Sequence, residues 1–285
     1  MLISKVKQLT SVQRFTYWIC EREDIRLRKE LGKLSQDLWT DDEILATYRF
    51  CNVVRMYDRV SKWLLNNWYS PNYGHNNMLK AVTLARFINK PESLEKIGFP
   101  KKWIPERIKK VLRDYRDAGN VVFNAAYMVR GNDGEDKISS VIDYYMRDVI
   151  DLKLDTSTME GVHNQLIQCY GLGSFMAGQI VADLRWSMPG KWADKDNWAP
   201  IGPGSRRGMN RLLGLELSSP MKQSKFSQHL INLIDRVSPE LDSQLVKTME
   251  AHDWQNCCCE FDKYERTLWD NRKPKQLYKP YQGTR

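Results

Sequence analysis

The chain has 285 residues, with 44 Lys and Arg against 35 Asp and Glu, for a formal net charge of +9. Its 10 Trp, 13 Tyr and 8 Phe supply ample core-forming side chains, which excludes a disordered chain, and 16 Gly with 11 Pro exclude a collagen-like one. It lacks the apolar run of about eighteen residues that spans a membrane, residues 1–10 lack the apolar centre of a secretory signal, and a cytoplasmic location is expected.

The dominant period is helical, so the expected fold class is mainly α, one helical unit over 1–285. Residues 12–31 place Phe15, Trp18, Ile19, Ile25 and Leu31 near one face, and Gly32 stops the helix. Thr40 reads as an N-cap with Glu43 three residues on, and the helix it opens runs through Tyr48, Cys51 and Val54. Residues 60–68 and 78–88 follow, the second stretch amphipathic. Pro91 opens a short helix that Gly98 ends, and 105–117 is a basic helix. Residues 121–130 read as a helix or short strand, 131–134 as a turn, and 139–150 and 159–169 as further helices. Three parts result: an N-terminal helical part over 12–130, a central part over 135–240 and a C-terminal helix with a basic tail over 241–285. Within the central part, 187–208 is a loop rich in glycine and proline.

Charge is clustered. Residues 99–116 and 263–285 each hold seven basic and two acidic side chains, or +5 apiece, leaving the rest at −1. Such blocks suit a polyanion or a solvated helix face, and charge alone leaves both open. The six cysteines, three of them adjacent at Cys257, Cys258 and Cys259, form no disulfide framework and read as reduced thiols. Neighbouring residues on a helix point in different directions and the four histidines are scattered, so no metal site is expected there. A cysteine nucleophile adding to a uracil ring and a buried apolar thiol are the remaining readings.

The segment 166–183 reads LIQCYGLGSFMAGQIVAD. A helix, a tight turn at Gly171-Leu172-Gly173 and a second helix from Ser174 match the helix-hairpin-helix pattern, with Ala177 closing the two helices. Glycines permit positive φ, and the first N–H groups of the second helix favour an anion. Gly171, Gly173 and Ser174 are therefore candidate DNA contacts; a plain interhelical turn is the alternative. Downstream, Gly204, Ser205, Arg206 and Arg207 offer backbone donors, a hydroxyl and two guanidiniums, suited to a phosphate or to the DNA backbone. Trp192 and Trp198, in the same loop, are candidates to stack on an extruded base.

The hairpin resembles that of the base-excision DNA glycosylases, and Asn210-Arg211-Leu212-Leu213-Gly214 resembles the ending of their next helix. The glycosylase aspartate would fall near Gly202, with Asp194 and Asp196 in another register, and Ser174, Phe175 and Met176 stand where bifunctional members carry lysine. A closer resemblance runs from about residue 12 to 270. It rests on Trp18-Ile19-Cys20-Glu21-Arg22-Glu23, Thr47 to Val53 with Asp58-Arg59-Val60, Gly171 to Asp183, the Gly-Pro-Gly-Ser-Arg-Arg-Gly stretch and Asn256 to Tyr264. These motifs are similar to the bacteriophage thymine-hypermodification family, the α-glutamyl/putrescinyl thymine pyrophosphorylases or amino acid:DNA transferases, and to the helical domain of 5-hydroxymethyluracil DNA kinases.

That resemblance implies a helix-hairpin-helix, glycosylase-like helical fold whose two chain ends pack together. It implies a transferase that displaces pyrophosphate from 5-(pyrophosphoryloxymethyl)uracil in DNA with the amino group of a free amino acid, protecting phage DNA from restriction in the host cytoplasm. A glycosylase-like enzyme and a non-catalytic base-flipping partner of a 5-hydroxymethyluracil DNA kinase are the alternatives. Within that frame Arg206 and Arg207, with or without Mg²⁺, would meet the leaving pyrophosphate. Asp196, then Glu260 or Asp262, would take the amine proton. Arg49, Arg55 or Arg59 would bind the amino acid carboxylate, and Asn52, Asp58 and Asn210 complete the substrate-binding candidates. Asn52 and Asp58 read equally well as capping or core hydrogen-bonding residues.

Overall fold

The computed structural model describes residues 2–32, 39–124, 131, 134–270, 274 and 277–278. Regular structure among them is helical, as the periodicity expects. By contacts the chain divides into two units, one drawn from Met1–Arg55 and Ile201–Arg285, the other from Met56–Pro200.

The first unit opens with α1 (Leu2–Gln8), a helix not expected from the sequence, and α2 (Ser11–Glu30). Thr10 caps α2: its hydroxyl accepts from the Gln13 N–H while the Gln13 side chain accepts from the Thr10 N–H. Phe15, Trp18, Ile19 and Ile25 are buried as expected, but Leu31 lies past the last turn and is 78% exposed. Gly32 takes φ 81, which only glycine adopts without strain. The next helix, α3 (Glu43–Thr47), is capped by Asp42 rather than Thr40. The Asp42 carboxylate accepts from the Ile44 and Leu45 N–H groups, and the Thr40 hydroxyl accepts from the Asp42 N–H. This helix ends at Thr47, so Tyr48, Cys51 and Val54 are not helical.

The second unit holds α4 (Arg59–Leu64), which runs into a π turn at Leu65–Tyr69, then α5 (Met78–Ile88), α6 (Pro91–Ile97) and α7 (Pro105–Asp117). Gly98 ends α6 with φ 67. The expected amphipathic character of α5 does not hold: Met78, Leu79 and every residue from Ala81 to Ile88 are buried, so it is a central helix. Residues 121–124 are irregular, and 125–130 and 132–133 lie outside the described residues. The expected helix at 139–150 is a single turn, α8 (Lys137–Ser139), passing into a π turn at Ser140–Tyr145. Then come α9 (Met159–Leu166) and α10 (Ser174–Ser187). Arg86 on α5 is buried because Asp183 on α10 meets it with both oxygens, and Tyr69 donates its hydroxyl to the same carboxylate. A lone guanidinium buried there would cost several kcal/mol.

The first unit resumes with α11 (Pro203–Leu212), α12 (Gln223–Val237), α13 (Ser243–Thr248) and α14 (Ala251–Asp270). Here α11 begins inside the stretch expected to be a loop. Gly202 is its N-cap and Pro203 its first residue, a position where the missing N–H costs nothing. As the family resemblance implies, segments near the two ends pack together: Arg14 on α2 is ion-paired with Glu265 on α14.

A polar stripe on α14 explains why residues 48–54 are not helical. The Asp253 carboxylate accepts from the Arg55 N–H, the Cys257 thiol faces the Val53 carbonyl, and Glu260 accepts from the Cys51 N–H. Lys263 donates to the Arg49 carbonyl and Tyr264 to Asp42. From α2, Arg22 donates to the Cys51 carbonyl and the Asn52 side chain. Side chains thus take over the backbone bonding that a helix would have supplied internally.

Candidate functional site

In the second unit α9 and α10 form the hairpin. Gly171 takes φ 74, and a Cβ there would sit 2.1 Å from the Tyr145 ring, so glycine is required twice over. Gly173 is the N-cap of α10 in an ordinary extended conformation, with nothing near its missing side chain. Ser174 is exposed, and α10 starts without a side-chain cap. Asp148 accepts from the Tyr170 N–H, and the His163 ring approaches the Ser174 hydroxyl and carbonyl at 3.2 Å. Burial holds the His163 pKa below its ordinary value, which keeps the ring neutral near pH 7. The amides of this hairpin turn are therefore held in place before any ligand arrives.

The segment that follows does not offer tryptophans to a base. Trp192 and Trp198 are buried, Trp198 against the His163 ring at 5.4 Å. Asp194 accepts from the Met159 and Glu160 N–H groups, so it caps α9. Asp196 is exposed and paired with Lys195. Asp58 is the N-cap residue of α4 and Arg59 its exposed first residue.

In the first unit α11 lies tightly against α14, and this explains the Gly-Pro-Gly-Ser-Arg-Arg-Gly stretch. A Cβ on Gly204 would come within 2.3 Å of the Cys259 sulfur, and one on Gly208 within 1.9 Å of the Cys258 carbonyl. Gly204 and Gly208 are one turn apart, and they let the two backbones approach. Ser205 is fully buried; its hydroxyl accepts from the Gly202 N–H and from the Gln255 side chain. Gly204 and Ser205 are therefore not laid out as an open phosphate cradle. Burial pushes the thiols of Cys257 and Cys258 up, and that of Cys259 to about 11, which leaves no thiolate for a nucleophile.

The two arginines of that stretch part ways. Arg206 donates to the Ser218 and Ser219 carbonyls. Arg207 turns to Asp262 on α14, with Nε 2.9 Å from one oxygen; Arg211 meets the other oxygen at 3.0 Å, and Arg266 approaches at 3.4 Å. Asp262 is buried, while Arg207 and Arg266 are about one-third exposed. Three guanidiniums on Asp262, with Asp270 against Arg211, leave a local surplus of one positive charge. Arg207 and Asp262 are among the candidates drawn from the sequence; Arg211 and Arg266 are not. Their signal was the spacing: Arg207 and Arg211 on one helix, and Asp262 and Arg266 on another, are each four apart.

The other candidates have structural neighbours. Glu260 accepts from Cys51 and is paired with Lys263, and Asp262 is enclosed by arginines, so of the three carboxylates named as bases Asp196 is the exposed one. The Asn210 amide donates to the Glu216, Leu217 and Ser219 carbonyls and so clamps the turn after α11. Arg49 is exposed, Asn52 accepts from Arg22, and Arg55 is buried beside Asp253. Among the described residues no group of three His, Cys, Asp or Glu side chains is arranged to hold a metal ion, and no helix is long and apolar enough to cross a membrane.

A family described as "5-hmdU DNA kinase, helical domain" matches residues 10–273. The chain belongs to this family. A 5-hmdU DNA kinase of Bacillus phage SP10 is 26% identical over 283 residues, covering 86% of this chain and 43% of the relative. The chain thus spans less than half the length of that kinase. No solved structure matches it. The family match spans α2, the hairpin, α11 and α14, so both the hairpin and the arginine cluster lie within the shared domain.

Proposed function

We propose that the chain acts on DNA carrying 5-hydroxymethyluracil and that it is a transferase. In this reading it displaces pyrophosphate from the 5-methylene carbon with the amino group of an amino acid. The observation that carries the DNA assignment is the match of residues 10–273 to the helical domain of 5-hmdU DNA kinases. The Bacillus phage relative is named for the kinase step, yet these 285 residues contain no Gly-x-x-x-x-Gly-Lys-Ser/Thr loop to cradle ATP phosphates. A step that consumes the phosphorylated base fits them better.

In that step a C–N bond forms at the methylene carbon and the C–O bond to pyrophosphate breaks, its electron pair leaving with the pyrophosphate. The attacking amine must have shed its ammonium proton. The leaving group gathers negative charge, which preorganised cations stabilise. Arg207 and Arg266, aimed by the buried Asp262 and partly open to solvent, suit that task; Arg206, committed to the turn at Ser218 and Ser219, suits it less. The hairpin would hold the DNA backbone through the amides that open α10.

Nucleoside mass spectrometry tests this. The protein would be incubated with DNA bearing pyrophosphorylated 5-hydroxymethyluracil and a mixture of amino acids, and the DNA digested. A nucleoside with one amino acid joined to the methylene is expected. Unchanged pyrophosphorylated nucleoside from protein that binds the DNA would sink the transferase. It would favour a second reading, a DNA-holding partner of a kinase, which the presence of this domain within a longer phage kinase supports.

A further inference from the structure

The hairpin displays apolar side chains that the fold does not bury. Ile167, Tyr170 and Phe175 are 37%, 47% and 56% exposed, and they fall within nine residues. Between and around them Leu166, Leu172 and Ala177 are buried, so the hairpin has a packed inner side and an apolar outer one. Tyr170 is held in place. Tyr170 stacks on Tyr145 with centroids 6.0 Å apart, Tyr145 stacks on Phe87 at 5.4 Å, and Gly171 sits against the Tyr145 ring. The Tyr170 amide is held by Asp148, and the Arg147 guanidinium lies 5.4 Å from the Tyr170 ring centre. Phe175 stands in the first turn of α10, beside the positive end of that helix.

We infer that Tyr170 and Phe175 stack on DNA bases, filling the gap left in the duplex when a nucleotide turns outward. This rests on the DNA-binding reading above. The occupant must offer flat apolar faces next to anions, because the rings adjoin the positive start of α10, with Arg147 beside them exposed and ion-paired with Asp148; DNA offers both. Apolar side chains that enter base steps offset the cost of unstacking, and aromatic rings accept any base face. Chemistry at a 5-methylene carbon calls for an extruded base, which leaves a gap to be filled. Trp192 and Trp198 cannot fill it because they are buried.

The test uses the full chain and a short duplex with 2-aminopurine beside the modified base. Binding is read by anisotropy and unstacking by the fluorescence of 2-aminopurine. Wild type is expected to bind and to brighten the probe severalfold. Phe175→Ala and Tyr170→Ala should each weaken binding about tenfold and reduce the brightening. Phe175→Leu keeps an apolar side chain but loses the ring, and should lose brightening; Phe175→Trp should keep it. Circular dichroism melts confirm that each variant is folded, which these exposed positions favour. Wild-type binding without brightening overturns this inference alone. Brightening that survives both alanine variants also overturns it and assigns the apolar tip to another occupant, such as a protein partner. Failure of wild type to bind any DNA overturns the DNA-binding reading with it.

Discussion

Gly208 on α11 faces the Cys258 carbonyl of α14 so closely that a Cβ would lie 1.9 Å from that oxygen. Backbone cannot retreat as a side-chain end can. Gly208→Ala should therefore part the two helices and cost about 1–3 kcal/mol, as overpacking does. Gly204→Ala meets only the Cys259 sulfur, so the Gly204→Ala, Cys259→Ala double variant should recover much of the loss. Urea denaturation of the single and double variants checks this; a wild-type midpoint for Gly208→Ala would refute it.

The two hairpin glycines should differ. Gly171→Ala forces a positive φ on alanine and drives its Cβ into Tyr145, so thermal stability should fall clearly. Gly173→Ala has an ordinary φ and open space, so it should change stability by less than about 1 kcal/mol. Equal melting temperatures for the two would contradict this account of the turn.

Asp262→Asn removes the charge that gathers three guanidiniums. Full burial of both partners would make the loss about 3–5 kcal/mol, but Arg207 and Arg266 are partly solvated, so about 2 kcal/mol is expected. Arg207→Ala should cost under about 1 kcal/mol of stability yet lower product formation at least tenfold if it meets the leaving group. Unaltered turnover in Arg207→Ala would remove it from the chemistry.

Burial pushes Asp253 up to about 6, from an ordinary value of 3.8, although the Arg55 and Glu250 N–H groups pull it down. The folded chain then holds this proton more tightly than the unfolded one. Its stabilising contribution is complete below about pH 4 and is lost as pH rises through 6, a change of about 3 kcal/mol at most. Asp253→Asn should show a flatter pH profile of unfolding between pH 4 and 7 than wild type. Carboxylates common to both proteins cancel in that difference; parallel profiles would disprove the assignment.

Much of the fold was legible because local signals agreed with tertiary need. Proline starts and glycine stops marked α6, the 3.6-residue period marked α2 and α7, and the Gly-Leu-Gly turn marked the start of α10. The irregular segment at 48–54 was not legible, since side chains 204 and 209 residues away satisfy its backbone. Nor was α11, because Gly204 and Gly208 look alike whether they approach a phosphate or a neighbouring helix. The site was half legible: Arg207 and Asp262 were named, while Arg211 and Arg266 needed the facing helices to bring them together.

The contact unit drawn from Met1–Arg55 and Ile201–Arg285 is interrupted by the other, which is one continuous stretch. During synthesis Met56–Pro200, a single continuous stretch, emerges as a whole before residue 201 is made. The earlier segment must wait, because Arg14 finds Glu265 only after 251 further residues. Until then Phe15 on α2 lacks the Phe261 ring of α14, which it meets edge-on at 5.3 Å. Truncation ahead of α14 should therefore strip Phe15 and Arg14 of their partners and favour aggregation through α2.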